Sequence, residues 1–257
     1  MTTIVFYALS SVAIVSLISL IGVFALSLKE NLLRKGVFLM VSLAVGALFG
    51  DALIHLIPES FEQIENPVTA SLLILSGILG FLILEKILRW HHGHGHDCED
   101  ELCKDDVEEK RSRVQPLGFL ILTSDGLHNL IDGVIIGASY LISIEVGIAT
   151  TIAIVLHEIP QEISDFGLLL HSGFSKARAL LVNFLSALSA FIGVGIALLI
   201  GNNNETFIPV ALALAAGSFI YIAGSDLVPE LHKTNNIKQS LQQIVAILIG
   251  IGIMLLL

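Results

Sequence analysis

The feature that most constrains this chain is the spacing of its apolar blocks. Eight runs of about twenty residues recur, at about 4–28, 36–57, 69–88, 117–142, 146–170, 177–200, 207–229 and 240–257. A helix of ~20 apolar residues crosses a ~30 Å hydrocarbon core, and in lipid each spanning segment must satisfy its own backbone polar groups. The expected fold is therefore an all-α integral membrane protein with eight transmembrane helices, a single transmembrane domain over residues 1–257. Composition agrees: 54% of residues are apolar and 14% charged, far from a soluble domain. The lipid bilayer is an obligatory partner, and no nucleic acid partner is expected. Met1-Thr2-Thr3 lacks a positive n-region and the first run is too long for a cleavable signal peptide. The expected location is a plasma or bacterial inner membrane.

Charge fixes the orientation. All 13 Lys and Arg residues fall in, or within the adjoining helix ends of, the first, third, fifth and seventh connections, among them Lys29, Arg34, Lys86, Arg113, Lys176, Arg178, Lys233 and Lys238. The connections between carry only acids, such as Glu62, Glu65, Glu145 and Glu205. The positive-inside rule places the basic connections in the cytoplasm and both termini outside. A weak internal repeat is also present. Gly46…His55-Leu56-Ile57-Pro58-Glu59 matches Gly217…Asp226-Leu227-Val228-Pro229-Glu230, 171 positions on. The second span then runs outward and the seventh inward, the pattern of an inverted repeat: spans one to three mirrored by six to eight around a central pair, a 3+2+3 arrangement.

That central pair carries the chemistry. The fifth span holds His157, Glu158, Gln161, Glu162 and Asp165, which share one helical face. Ionisable groups at the bilayer centre cost roughly 2.5–3.5 kcal/mol each, so such a stripe needs a partner or a function. Pro160 lacks an N–H and frees the carbonyl of Leu156 one turn back. Imidazole, carboxylate and carbonyl on one buried face are ligands for a divalent cation. A polar cluster that only joins helices is the plainer reading, but the fourth span repeats the chemistry with Asp125, His128, Asn129 and Asp132 on one face. His128 and His157 each lie ~16 Å deep from opposite ends, and the short loop between the spans makes them antiparallel neighbours. The two stripes are expected to meet at the midplane. Gly133 and Gly137 beside Asp132 invite close approach of another helix.

Other polar positions are more open. Asp51 and His55 share a face of the second span, as a structural hydrogen bond or as part of a route that hands a cation inward. Asp226 occupies the repeat position of His55. Asn183 and Ser186 in the sixth span read first as hydrogen bonds between helices and second as ligands. The cytoplasmic loop at about 89–115 is expected to be disordered. It carries His91, His92, His94, His96, Cys98 and Cys103, either a modest metal-binding tract or a solvated linker. The C-x4-C spacing is neither a zinc-knuckle nor a redox spacing, and cytoplasmic thiols stay reduced.

His128-Asn129-Leu130-Ile131-Asp132-Gly133 followed by His157-Glu158-Ile159-Pro160-Gln161-Glu162 resembles the ZIP (Zrt/Irt-like) metal-ion transporters, closest to their histidine-rich branch. Gly50-Asp51 through Pro58 and the histidine loop are similar to that branch as well. The resemblance covers essentially the whole chain. It implies eight helices in the 3+2+3 arrangement, a homodimer, and movement of divalent ions into the cytoplasm through a two-ion site. Zinc is the first expectation as transported substrate, with iron, manganese and cadmium behind it, and no catalytic cofactor. By position, His128, Asp132 and His157 would hold one ion, and Asn129, Glu158 and the shared Asp132 the other. Gln161 departs from the family's second histidine of the fifth helix. An amide oxygen is a weaker, harder ligand than imidazole, which would shift preference towards manganese or iron. The rivals are a membrane metal sensor and an intramembrane zinc metalloprotease. The protease needs a second His one turn after the first, where this chain has Gln161 behind Pro160.

Overall fold

The computed structural model describes residues 2–22, 30–90, 116–201, 204, 206–233 and 236–257. The His91–Cys103 tract and the end of the first predicted span lie outside them. The described residues are helical and contain no strand, and eight long helices follow in order. Helix α1 is Thr2–Ile18 with a closing 3-10 turn, Ser19–Ile21. Helix α2 starts as Glu30–Gly50, passes through a π-helical turn at Asp51–Leu56 and continues as Ile57–Gln63. Then come α3 (Pro67–Trp90), α4 (Pro116–Ile142) and α5 (Ile144–His171). Helix α6 is Lys176–Ala187 and Ser189–Gly201, with Leu188 between. Helix α7 is Phe207–Tyr221, a π-helical turn Ile222–Leu227, and Val228–Leu231. Helix α8 is Ile237–Leu256.

Six of these are long and apolar enough to cross a membrane: α1, α2, α3, α6, α7 and α8. Helices α4 and α5 are no shorter, at 27 and 28 residues, but their polar stripes lower their hydropathy. The surface is inverted relative to a soluble protein. Leu72, Leu75, Leu79 and Ile83 point outward from α3, and Leu241, Ile244, Leu248 and Leu255 from α8. Asp51, Asp125, Asn129, Asp132, His157, Glu158, Glu162 and Asn183 are buried. Apolar side chains outside and ionisable ones inside is the distribution lipid selects.

Local signals end the helices where the sequence changes character. Only Ser143 separates α4 from α5, and its hydroxyl caps α5 by accepting from Val146 N–H at 3.1 Å. Helix α5 continues through Pro160 and stops at Gly173, whose φ of 92° suits glycine. There Gly173 N–H donates to Leu170 O and Phe174 N–H to Leu169 O, both at 3.1 Å, a Schellman closure.

Helix pairs close on bare backbone. A Cβ added to Gly133 would lie 2.0 Å from Ala190 O, and one added to Gly193 would lie 2.1 Å from Leu130 O. The close approach read from Gly133 is thus made by α6, and Gly137 meets Ala197 on the same helix. Helices α2 and α8 meet in the same way through Gly46 and Gly250, and α3 and α7 through Gly77 and Gly217. The two π-helical turns, Asp51–Leu56 and Ile222–Leu227, are also 171 positions apart, and each runs straight into a Pro-Glu helix start.

Candidate metal centre

His128 is the thirteenth residue of α4 and His157 the fourteenth of α5, so each sits at mid-helix. The single-residue turn at Ser143 makes the helices antiparallel neighbours, and their stripes face one another. His128 Nε2 lies 3.2 Å from His157 Nε2 and 3.2 Å from Glu158 Oε1. Asp132 Oδ2 lies 3.3 Å from His157 Nε2 and 3.7 Å from His128 Nε2, and Glu158 Oε1 lies 3.6 Å from His157 Nε2. An ion bound tetrahedrally at ~2.1 Å needs ligand atoms ~3.4 Å apart. The four side chains therefore converge at close to the spacing of one coordination shell.

The protonation pattern suits that role. His157 Nδ1 lies 3.2 Å from the carbonyl of Ala153. A carbonyl only accepts, so Nδ1 carries the hydrogen and Nε2 presents its lone pair to the cluster. Both oxygens of Asp132 and both of Glu158 are buried and make no hydrogen bond. Imidazoles that ligate a metal are neutral, so with two carboxylates the four groups would carry −2 around a bound ion, the complement of a divalent cation. Without a counter-charge, burying those carboxylates is costly. Aromatic rings enclose the site: Phe81 packs edge-on to His128 at 6.0 Å and Phe219 against His157 at 6.1 Å.

A second cluster lies towards the C-terminal part of α5. Glu158 recurs in it, joined by Asp125 and Glu162, and one ligand oxygen from each lies within 4.8 Å of the others. Asn129 donates its amide to Asp125 Oδ1 at 2.8 Å. From α6, Asn183 donates to Glu162 Oε2 and Ser186 to Asp125 Oδ2. The inter-helix hydrogen bonds expected of Asn183 and Ser186 are present, and both end on acids of the central pair.

A cavity of about 630 Å³ adjoins both clusters. Asp125 and His128 form part of its wall with Gln161, Asp165 and Asp226. It reaches exposed Glu230, so it opens at the end of α7 that precedes Lys233. Tyr221 and Glu85 also line it and are hydrogen-bonded to each other, joining α7 to α3. Sequence reasoning missed that pair. Glu85 lies beside Lys86 and reads as part of a cytoplasmic helix end, and Tyr221 has no polar neighbour in sequence to flag it. Asp51 and His55 pair with each other at 3.1 Å and belong to neither cluster. The loop positions His91, His92, His94, His96, Cys98 and Cys103 lie outside the described residues.

Comparison with known proteins agrees with this chemistry. The profile described as ZIP Zinc transporter matches residues 2–101 and 90–257. The metal cation symporter ZIP14 of Xenopus tropicalis is 32% identical over 320 residues, covering 98% of this chain and 68% of that protein. The metal cation symporter ZIP8 of Rattus norvegicus is 31% identical over 291 residues, covering 88% and 62%. The zinc transporter zipt-7.1 of Caenorhabditis briggsae is 31% identical over 278 residues, covering 86% and 71%. The chain spans about three-fifths to two-thirds of the length of most of these curated relatives. A profile matched along the whole chain, on a bundle of membrane helices that brings two histidines and two carboxylates together, makes this a multi-pass membrane protein belonging to the ZIP zinc transporter family.

Proposed function

We propose that this protein carries divalent transition-metal ions, zinc first, across the membrane into the cytoplasm. It acts as a transporter and not as an enzyme. The observation that carries the reading is the mid-helix convergence of His128, Asp132, His157 and Glu158 at 3.2–3.7 Å. Four ligands, two neutral and two anionic, bind a zinc-like ion without a dedicated counter-ion, and the adjoining cavity gives it a way out. The cavity opens at the helix ends that carry the basic residues, which is the cytoplasmic side on the positive-inside rule. The names of the relatives, metal cation symporters and a zinc transporter, support the same cargo.

On this reading α4 and α5 are the central pair, and α1–α3 and α6–α8 are inverted repeats with both termini outside. The matched π-helical turns and the reciprocal pairing of α2 with α8 and α7 with α3 support the repeat. The second ion of the family pattern would use Asn129, Glu158 and the shared Asp132, and the assembly would be a homodimer. The test is competitive uptake of zinc, manganese, iron and cadmium by cells expressing the chain, beside Asp132→Ala at matched surface expression. Saturable zinc uptake that Asp132→Ala abolishes is expected. Wild-type uptake in Asp132→Ala, or no uptake by either, overturns the reading.

A further inference from the structure

Helices α2 and α8 touch at one crossing and leave a gap beside it. A Cβ on Gly46 would run into the carbonyl of Ile247, and one on Gly250 into the carbonyl of Leu43, so the two backbones meet there. Towards the ends that begin at Glu30 and Ile237, the same pair encloses a groove of about 550 Å³. Leu39, Met40 and Leu43 form one wall, and Leu241, Val245 and Ile249 the other. Gly36, one turn before Met40, has open space where a side chain would stand, so the groove is not closed at that end. The α8 wall is exposed, which in a membrane means that it faces lipid.

An apolar gap inside a bilayer loses its packing contacts unless a lipid chain or another helix fills it. Size decides between the two. From Leu241 to Ile249 the groove follows α8 for ~12 Å, and a helix of ~10 Å diameter would need ~900 Å³ over that length. The groove offers about 550 Å³ and tapers to backbone contact, which suits a flexible acyl chain. Charge at the mouth selects the headgroup. Lys238, Gln242, Val245 and Ile249 follow one another at helical spacing, so Lys238 continues the groove's stripe by one turn. It is exposed and forms no ion pair among the described residues. Arg34 and Lys35 precede Gly36 near the start of α2. We propose that this groove binds one anionic phospholipid of the adjacent leaflet, with an acyl chain between α2 and α8 and the headgroup at Lys238. No residue of the site belongs to the central pair α4 and α5, so the proposal stands apart from the cargo and the direction of transport.

The experiment is native mass spectrometry of the full-length chain released from nanodiscs that hold equal amounts of phosphatidylglycerol and phosphatidylcholine with identical acyl chains. Wild type is expected to retain one phosphatidylglycerol that Val245→Trp, whose indole fills the groove, does not. Leu241→Trp reads the same way if Val245→Trp does not purify as a single species. Leu72→Trp, on the exposed face of α3, should keep the lipid. Lys238→Gln should lower the preference for phosphatidylglycerol over phosphatidylcholine about fivefold, the contribution of one basic residue at a lipid surface. Unchanged retention in the folded groove-filling variant overturns the proposal, as does equal retention of the two lipids by wild type. A preference that Lys238→Gln leaves unaltered overturns it too, because the headgroup would then lie elsewhere. A wild-type dimer that Val245→Trp converts to monomers without releasing lipid means that a second copy fills the groove, and the lipid site is refuted.

Discussion

Replacing His157 by Ala is the sharpest test of the histidine centre. The four ligand atoms lie 3.2–3.7 Å apart along the five measured edges. That spacing places an ion ~2.1 Å from each, a normal zinc bond. His157 takes part in three of those edges, more than Asp132 or Glu158, and its ring is 1% exposed and oriented by Ala153 O. Alanine removes one vertex of the tetrahedron and leaves a ring-sized space. A water can enter there, but nothing holds its lone pair at the ion as Ala153 holds the imidazole. Losing a group that merely orients a ligand costs 10–100-fold in metal affinity. Losing the ligand itself should cost at least the upper end, ~100-fold or ~2.7 kcal/mol. The assay is zinc affinity of the purified chain by competition with a chelating dye, beside initial uptake rates at limiting zinc. An affinity within about threefold of wild type, with undiminished uptake, would refute the coordination shell inferred from these distances.

Three further outcomes are expected. Gln161→His should raise the ratio of zinc to manganese uptake, by about tenfold if the new imidazole reaches an ion. Gln161 lines the cavity beside His128, and an unchanged ratio at limiting concentration would show that it stays clear of the ions. Gly133→Ala should destabilise the chain by ~1–3 kcal/mol, because its Cβ would fall 2.0 Å from Ala190 O and force α6 off α4. Gly80→Ala, with open space around it, should not, and equal melting temperatures for the two variants would contradict the packing. A cysteine placed at Asn203 should react with an impermeant maleimide from outside the cell while Cys98 does not. The reverse labelling would invert the topology.

Much of the site was legible because helical periodicity is a local rule. His128 and Asp132 are one turn apart, as are His157 and Gln161, so their shared faces follow from the sequence alone. The one-residue turn at Ser143 then leaves little freedom in how α4 and α5 meet. Asp125 and Glu162 were visible as members of the stripes, but their association with each other was not. Asp125 is 37 positions from Glu162, and Asn183 reaches that pair from a third helix whose rotation no single-helix pattern reveals. Tyr221 and Glu85 were missed for the same reason, being 136 positions apart.

The sequence by itself determined that the chain is a bundle of membrane helices, that its basic residues gather around alternate connections, and that two helices bear stripes of metal-ligating residue types. Those properties depend on segment length, composition and a 3.6-residue period, and need no knowledge of neighbours. Only the tertiary structure decided that α6 lies against α4 on glycine backbone, so that Asn183 and Ser186 end on Glu162 and Asp125. It also decided which carboxylates face imidazoles and which face amides. That division depends on the rotation and depth of three packed helices, set by the clearance of a few ångströms at Gly133 and Gly193, a quantity no local pattern encodes.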